Sequence, residues 1–392
     1  MAKVSKDGGR LHIKMADELC ADIRAGKYSA SRLFPSLTRI MNRFGVTRVT
    51  AMRIVDELKR RGVIVAVPRS RIVVKNVNRT IGLIVPGIAY SEFFPPIVSE
   101  ISRLAQKEGY TLLFGDVSSR SADQRARAAK RLAKDFVLQN VAGVLYQPVE
   151  LVDDVERVNR DILSVFSRAN IPVVMLDNDF TVAPRRSGYD VIGIDNVSAG
   201  MAVAEHLLST GVRKIHFQSR PRCSASVIDR RNGVFLTLSA AGAPVRHFRD
   251  LKAEPDDVAA IKAHLRRTRP EAFVCGNDAA AVKMKISLET LGYRVPDNIR
   301  LVGFDDVKYA KIVTPQLTTV HQPCEKIAEV AFRRLLARIV DPSLQPCFMA
   351  LPYELVVRAS SGMVAERSLE GTQNRMAKKN VMCQSLRKDR TK

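Results

Sequence analysis

Across residues 81–360, short β-branched runs alternate with amphipathic helical segments, and this alternation constrains the fold more than any other feature of the chain. Strand candidates are Ile81–Pro86, Thr111–Phe114, Ala142–Tyr146, Pro172–Leu176, Val191–Ile194, Lys214–Phe217, Ala272–Cys275 and Leu301–Phe304. Between them lie helical segments such as Pro96–Glu108, Val197–Ser209, Arg230–Ala241 and Ala279–Leu291. Such alternation builds parallel sheets with helices on both faces. The stretch is too long for one comfortable core, so two α/β lobes are expected. The chain is expected to pass between them near 187–190, 317–323 and 348–351.

Charge separates a head from this body. Residues 1–80 hold 18 Lys/Arg against 6 Asp/Glu, whereas residues 81–360 hold 37 against 31. A small basic module ahead of a nearly balanced one suggests a polyanion-binding head on a water-soluble body. No run of about 18 apolar residues occurs, so no membrane span is expected. The polar start, Met1–Leu11, gives no sign of a secretory signal. The six cysteines lack any CxxC spacing, which fits reduced thiols in a cytoplasm and argues against zinc or a disulfide framework.

Within the head, Leu11–Ala25 reads as a helix with Ala16, Leu19, Cys20 and Ile23 on one face. Ser36–Phe44 reads as a second helix, capped by Ser36 and ended by Gly45. Thr47–Arg61 reads as a third, capped by Thr47, with Arg48, Thr50, Arg53, Lys59 and Arg60 opposite its apolar stripe. Two helices joined by a tight glycine turn form a helix-turn-helix. Val63–Val67 and Ile72–Val74 then flank a basic tip with Arg69 and Arg71, a wing. A third helix of about 22 Å fits a major groove. A protein-interaction module with a solvated basic face would share the helical pattern; the wing arginines favour DNA.

The segments "LCADIRAGKY", "LFPSLTRIMNRFGVTRVTAMRIVDELKRRGVI" and "RIVV" resemble the winged helix-turn-helix of the GntR family of bacterial regulators. The resemblance and the basic faces of the third helix and wing together point to DNA contacts from Ser36, Arg39, Thr47, Arg48, Thr50, Arg53, Arg69 and Arg71. Thr38 stands where the family usually has Arg, and Arg69 and Arg71 replace two usual wing glycines. The head is thus placed at 1–74 and a polar linker at 75–80.

The body lacks the usual marks of catalysis. GxGxxG, the P-loop, HExxH and GxSxG are absent. Asp305 and Asp306 are adjacent on a strand and point to opposite faces, so they cannot address one bond together. The six His show no ligand spacing. No enzyme, metal or cofactor is therefore expected.

Residues 81–362 resemble the periplasmic-binding-protein-like effector domain of LacI/GalR regulators, through "VAGVLYQPV", "IPVVMLDND", "DRRNGVFLTLSAAG" and the run from "AFVCGNDAAA" to "LTTVHQP". The pairing with a GntR-type head is similar in architecture to the arabinose repressor of bacilli. The resemblance implies a small-molecule site at the C-terminal strand ends, lined by Phe93, Phe94, Asp177, Arg230, Asn277 and Asp305. Aromatic faces with Arg, Asp and Asn suit a sugar. Phe93 and Phe94 would equally serve a core, and Asn277 and Asp305 would equally hold turns. Asp278 reads as a helix cap, and Arg230 as either a site residue or a surface partner of Asp229 or Glu254. The family often stacks its ligand on an aromatic between positions matching 249 and 272, where this chain has none; Phe248 is the nearest substitute. Residues 363–392 read as a basic disordered tail. The expected function is a cytoplasmic, dimeric, ligand-controlled repressor that binds operator DNA and a sugar. A transporter's solute-binding protein would fit the body alone.

Overall fold

Two side-chain caps shape the head. Ser36 accepts the backbone N–H of Arg39 at 3.4 Å and Thr47 that of Thr50 at 3.4 Å, so helices α2 (Leu37–Phe44) and α3 (Arg48–Arg60) start where the sequence places them. Gly45, at φ 61°, ends α2 in the left-handed conformation that glycine adopts without cost. In this computed structural model, residues 8–24, 28, 34–67, 71–74, 79–85, 87–88, 91–117, 121–182, 184–242 and 248–362 are described. Helix α1 (Gly8–Arg24) and strands β1 (Ile64–Val67) and β2 (Arg71–Val74) complete the head, with β1 antiparallel to β2. Its core joins Ala16, Leu19 and Ile23 of α1 to Ile40 of α2 and Ala51, Ile54 and Leu58 of α3. Arg61 ties α3 to α1 through Glu57 at 2.7 Å and Asp17 at 2.5 Å. Hydrogen bonds from Arg60 and Arg61 hold the Glu57 carboxyl down at about 2.

The first large sheet is wholly parallel, in the order β13 (Phe348–Leu351), β7 (Asp190–Ile194), β6 (Val173–Leu176), β5 (Gly143–Tyr146), β3 (Thr80–Val85) and β4 (Thr111–Asp116). Its faces follow the period of two. Ile81, Leu83, Leu145 and Val174 pack with α4 (Phe94–Lys107) and α12 (Cys324–Val340), whereas Ile84, Val144, Tyr146 and Met175 pack with α5 (Ala122–Leu138) and α6 (Val155–Arg168). Asp190 is fully buried at the start of β7, where Arg334 and Arg338 of α12 and the Cys347 N–H neutralise and bond it. Burial raises its carboxyl, but the hydrogen bonds from Arg338 and Arg334 outweigh this and keep it below the usual range.

The second sheet runs β14 (Glu354–Val356), β12 (Thr318–His321), β11 (Arg300–Asp305), β10 (Ala272–Cys275), β8 (Ile215–Ser219) and β9 (Asp250–Lys252), with β14 antiparallel to β12 and the other pairs parallel. Helices α7 (Asn196–Ser209), α8 (Ala225–Ala240), α9 (Val258–Thr268), α10 (Asp278–Thr290) and α11 (Lys308–Ile312) accompany it. The two sheets confirm an α/β fold with a helix-turn-helix head. The chain leaves the first sheet after Ile194, later than the expected passage near 187–190, because β7 still pairs with β6.

By compactness there are two units. The first runs up to Asn196 and takes in Arg222–Asp229 and Gln322–Tyr353; the second holds Val197–Pro221, Arg230–His321 and the chain from Glu354. Residues 75–78 of the expected linker and the tail 363–392 lie outside the described residues. Helix α8 starts five residues before the expected Arg230, because Ser224 caps it, its hydroxyl accepting the Val227 N–H at 3.3 Å.

Candidate functional site

The head presents two kinds of arginine. Arg39, Arg48 and Arg53 are exposed and have no side-chain hydrogen bond or ion pair among the described residues. Arg60 is held by both carboxylate oxygens of Glu57, at 2.7 and 2.8 Å, and Lys59 lies 3.7 Å from Asp56. The charged face read from the sequence is therefore uneven, with its free guanidiniums on α2 and the first half of α3. Ser36, Thr47 and Thr50 sit at the helix starts, where Thr47 and Thr50 hydroxyls also meet at 3.2 Å. Arg71 opens β2, and Arg69 lies outside the described residues.

Of the expected ligand residues, Phe93, Phe94 and Asp177 belong to the first unit, and Arg230, Asn277 and Asp305 to the second. The Phe93 and Phe94 rings meet edge to face at 5.0 Å and are 5% and 9% exposed, packed into the core with Ile97 and Cys324. The core reading of these rings is the one the packing supports. Asp177 ends β6 at φ 68°, buried, beside Gly193, where a Cβ would fall 1.9 Å from the Asp177 carbonyl oxygen. Next to it, Asn178 donates to Glu150 at 2.7 Å and Asp179 accepts the Thr181 and Ser187 N–H groups at 3.0 Å each.

The second unit gathers its three into one polar cluster. Arg230 is 3% exposed on α8. Its guanidinium donates to the Gly276 carbonyl at 2.8 Å, lies 3.6 Å from an Asp305 oxygen and stands 4.6 Å over the Phe304 ring. It is therefore neither a surface side chain nor the partner of Asp229 or Glu254. Asp305 and Asp306 both have positive φ, 109° and 51°, at the end of β11. Such backbone persists only where surroundings hold it. Asp306 is held by Arg358 at 2.6 Å, so the two carboxylates serve different partners. Asn277, not Asp278, caps α10, accepting the Ala280 N–H at 2.9 Å. Asp278 is fully buried and accepts from Thr319 at 2.7 Å and the Val307 N–H at 3.1 Å; burial, then the Asp305 charge, pushes its carboxyl well up.

One further polar group escaped the sequence reading. Gln218, next to last in β8, is fully buried, with its NH2 on the Ala253 carbonyl and, among the described residues, its Oε1 without a hydrogen-bond partner. An amide inside an apolar strand was the available signal. Phe248, the expected substitute for a stacking aromatic, packs on Phe235 at 5.5 Å with Arg231 over its ring.

Among the described residues the Asp229 carboxylate has a buried oxygen with no hydrogen-bond partner. Burial, aided by the Asp195 and Asp179 charges and opposed by Arg186, lifts its carboxyl to about 6. A raised native value means that folding takes up a proton, so stability falls as pH rises from the unfolded carboxyl range to about 6. Asp229→Asn is expected to abolish that dependence and to be more stable than the parent at pH 7. Urea unfolding at pH 4.5 and 7.5 checks this, and an unchanged slope would remove Asp229 as its source.

Among the described residues, no group of three or more His, Cys, Asp and Glu is placed to hold a metal, and no helix is long and apolar enough to cross a membrane. Residues 13–74 match bacterial regulatory proteins of the gntR family, and residues 204–361 match the periplasmic binding protein-like domain. The HTH-type transcriptional repressor PurR of Mannheimia succiniciproducens is 28% identical over 294 residues, covering 74% of this chain and 83% of that protein. The crystal structure of transcription regulator GntR from Chromobacterium violaceum aligns with a TM-score of 0.57 and 27% identity, over 72% of this chain and all but 1% of that one (99% covered). The CelR–cellobiose complex shares the fold, with a TM-score of 0.61 and 24% identity over 83% of this chain and 100% of that one. The chain therefore joins a gntR-type helix-turn-helix head to a periplasmic-binding-protein-like domain, and it is similar to repressors of the PurR and LacI kind.

Proposed function

We propose that this protein is a cytoplasmic repressor whose affinity for operator DNA is set by a small molecule, a sugar or sugar derivative, and that it binds DNA as a homodimer. It is a regulator and not an enzyme. The observation that carries the DNA half is the set of exposed guanidiniums, Arg39, Arg48 and Arg53, on the helix-turn-helix, which have no partner among the described residues. An unpaired arginine at the start of a recognition helix gives two parallel donors to guanine without first breaking an internal ion pair. The wing arginines Arg69 and Arg71 would add phosphate contacts.

The ligand half rests on the Arg230, Asn277 and Asp305 cluster of the second unit; Asp177 of the first unit is a separate candidate, and Phe93 and Phe94 serve the core. A fork donor, an amide and carboxylates suit neighbouring hydroxyls. Any response on DNA must equal the ligand's differential affinity for the two states of the protein. A thermal-shift panel of mono- and disaccharides tests the class. Nucleobases and nucleosides belong in the same panel, because their ring edges would use the same donors; stabilisation by these alone would overturn the sugar reading.

Footprinting tests the DNA half and should reveal a pseudo-palindrome. Arg48→Ala is expected to cost about 1–3 kcal/mol on the operator and to relax base preference. Equal loss on operator and random duplex would make Arg48 a phosphate contact. Absence of any retention on DNA at low salt would sink the repressor reading and favour a solute-binding protein.

A further inference from the structure

Two apolar side chains stand exposed among the free guanidiniums of α3. Val49 is 61% exposed and Met52 48%, whereas Ala51, Ile54, Val55 and Leu58 of the same helix are buried. Val49 and Met52 are three residues apart and so share one face of the helix. Exposed Arg48 and Arg53 flank them in sequence. Neither side chain serves the head's core, and valine is a poorer helix former than the polar residues that usually cover an exposed face. Their use lies outside the free head. The surrounding charge names the partner's chemistry. Among the described residues Arg39, Arg48 and Arg53 have no counter-charge, which favours an anionic surface as the cover for this face. On a duplex, the major-groove edges offer one apolar group, the C5-methyl of thymine.

We propose that Val49 and Met52 read thymine methyl groups in the major groove, beside guanines engaged by Arg48 or Arg53. This rests on the DNA-binding reading above and adds base identity to it. Side chains at i and i+3 have Cβ atoms about 5–6 Å apart, and successive base pairs rise about 3.4 Å. The two contacts therefore fall on neighbouring or next-neighbouring base pairs. Each operator half-site should carry one or two thymines within that span of a guanine.

The test uses the full chain. Bound duplexes are selected from a random pool, and each thymine of the selected sequence is then replaced singly by deoxyuridine, which removes only the methyl group. Burying one methyl against Val49 or Met52 is expected to give about a fourfold difference in affinity. That loss should appear at one or two positions per half-site. V49A and M52A should each erase the thymine–deoxyuridine difference at one position while still binding the deoxyuridine duplex. The deoxyuridine series on the parent protein needs no variant, so a folding defect in V49A or M52A leaves the question decidable. Indifference to deoxyuridine at every position, or a methyl preference that survives both substitutions, would overturn the inference with DNA binding intact. Failure to select any duplex would overturn DNA binding itself, and this inference with it.

Discussion

Arg230→Ala should cost about 3 kcal/mol of the second unit's stability as well as the response to ligand. The side chain is 3% exposed, so its removal is not a surface event. It would leave the Asp305 carboxylate without its cation at 3.6 Å and the Gly276 carbonyl without its donor at 2.8 Å, and it would empty the space over Phe304. Losing one partner of a buried ion pair is costly because the other keeps its desolvation penalty. Asp305 retains some access to water, which places the loss at the lower end of the usual range. The head has its own core and keeps its fold, so operator binding should persist where the second unit is still folded. Arg230→Lys keeps the charge but not the fork, and should recover part of the stability and little of the ligand affinity. Urea unfolding followed beside ligand and operator titrations separates these effects. A loss under about 0.5 kcal/mol, the size of an ordinary surface change, would contradict the buried geometry.

Gly233→Ala comes next in size and has the less obvious sign. In an exposed helix interior, glycine to alanine stabilises by about 1 kcal/mol. Here a Cβ on Gly233 would lie 2.0 Å from the Val197 carbonyl oxygen and 2.9 Å from the Met201 nitrogen, and one on Gly200 would lie 2.1 Å from the Arg230 carbonyl oxygen. Helices α7 and α8 thus touch backbone to backbone through both glycines. Backbone atoms cannot swing aside, so the helices must part by more than an ångström, and overpacking of this kind costs about 1–3 kcal/mol. The net loss is expected near 2 kcal/mol, a fall of roughly 4–8 °C in the melting temperature for a unit of this size. An unchanged or higher melting temperature would show that the helix pair yields freely. Because α8 carries Arg230, the variant should also weaken ligand binding by displacing the guanidinium, a change seen as lower affinity with unaltered DNA binding.

Local rules made much of the chain legible. The caps at Ser36 and Thr47 and the turn at Gly45 act within four residues of chain, so the head's second and third helices were readable from sequence. The β-branched runs of the central strands were readable because strands buried on both faces are continuously apolar. Edge and polar strands were not. β12 reads Thr-Thr-Val-His and looks like a loop. It is a strand because it pairs with β11 on one side and β14 on the other, and its buried hydroxyls are satisfied, that of Thr318 donating to the Arg358 carbonyl at 2.8 Å and that of Thr319 to Asp278 at 2.7 Å, partners some 40 residues away in sequence. β9, β13 and β14 are three or four residues long and owe their form to a neighbouring strand.

The same division holds for the candidate sites. The basic face of the third helix made Arg48 and Arg53 candidates, and the resemblance made Arg230, Asn277 and Asp305 candidates. Packing decided which charges are taken: Glu57 holds Arg60 and Arg61, while among the described residues Arg39, Arg48 and Arg53 meet no acid. Packing also turned Phe93 and Phe94 into the core, gave Arg230 to Asp305 instead of its neighbour Asp229, and left Asp229 titrating at about 6. The sequence by itself determined the elements and the chemistry available to them, because backbone preference and side-chain type are local. Partnership, burial and protonation waited for the tertiary structure, because each depends on groups brought together from distant parts of the chain.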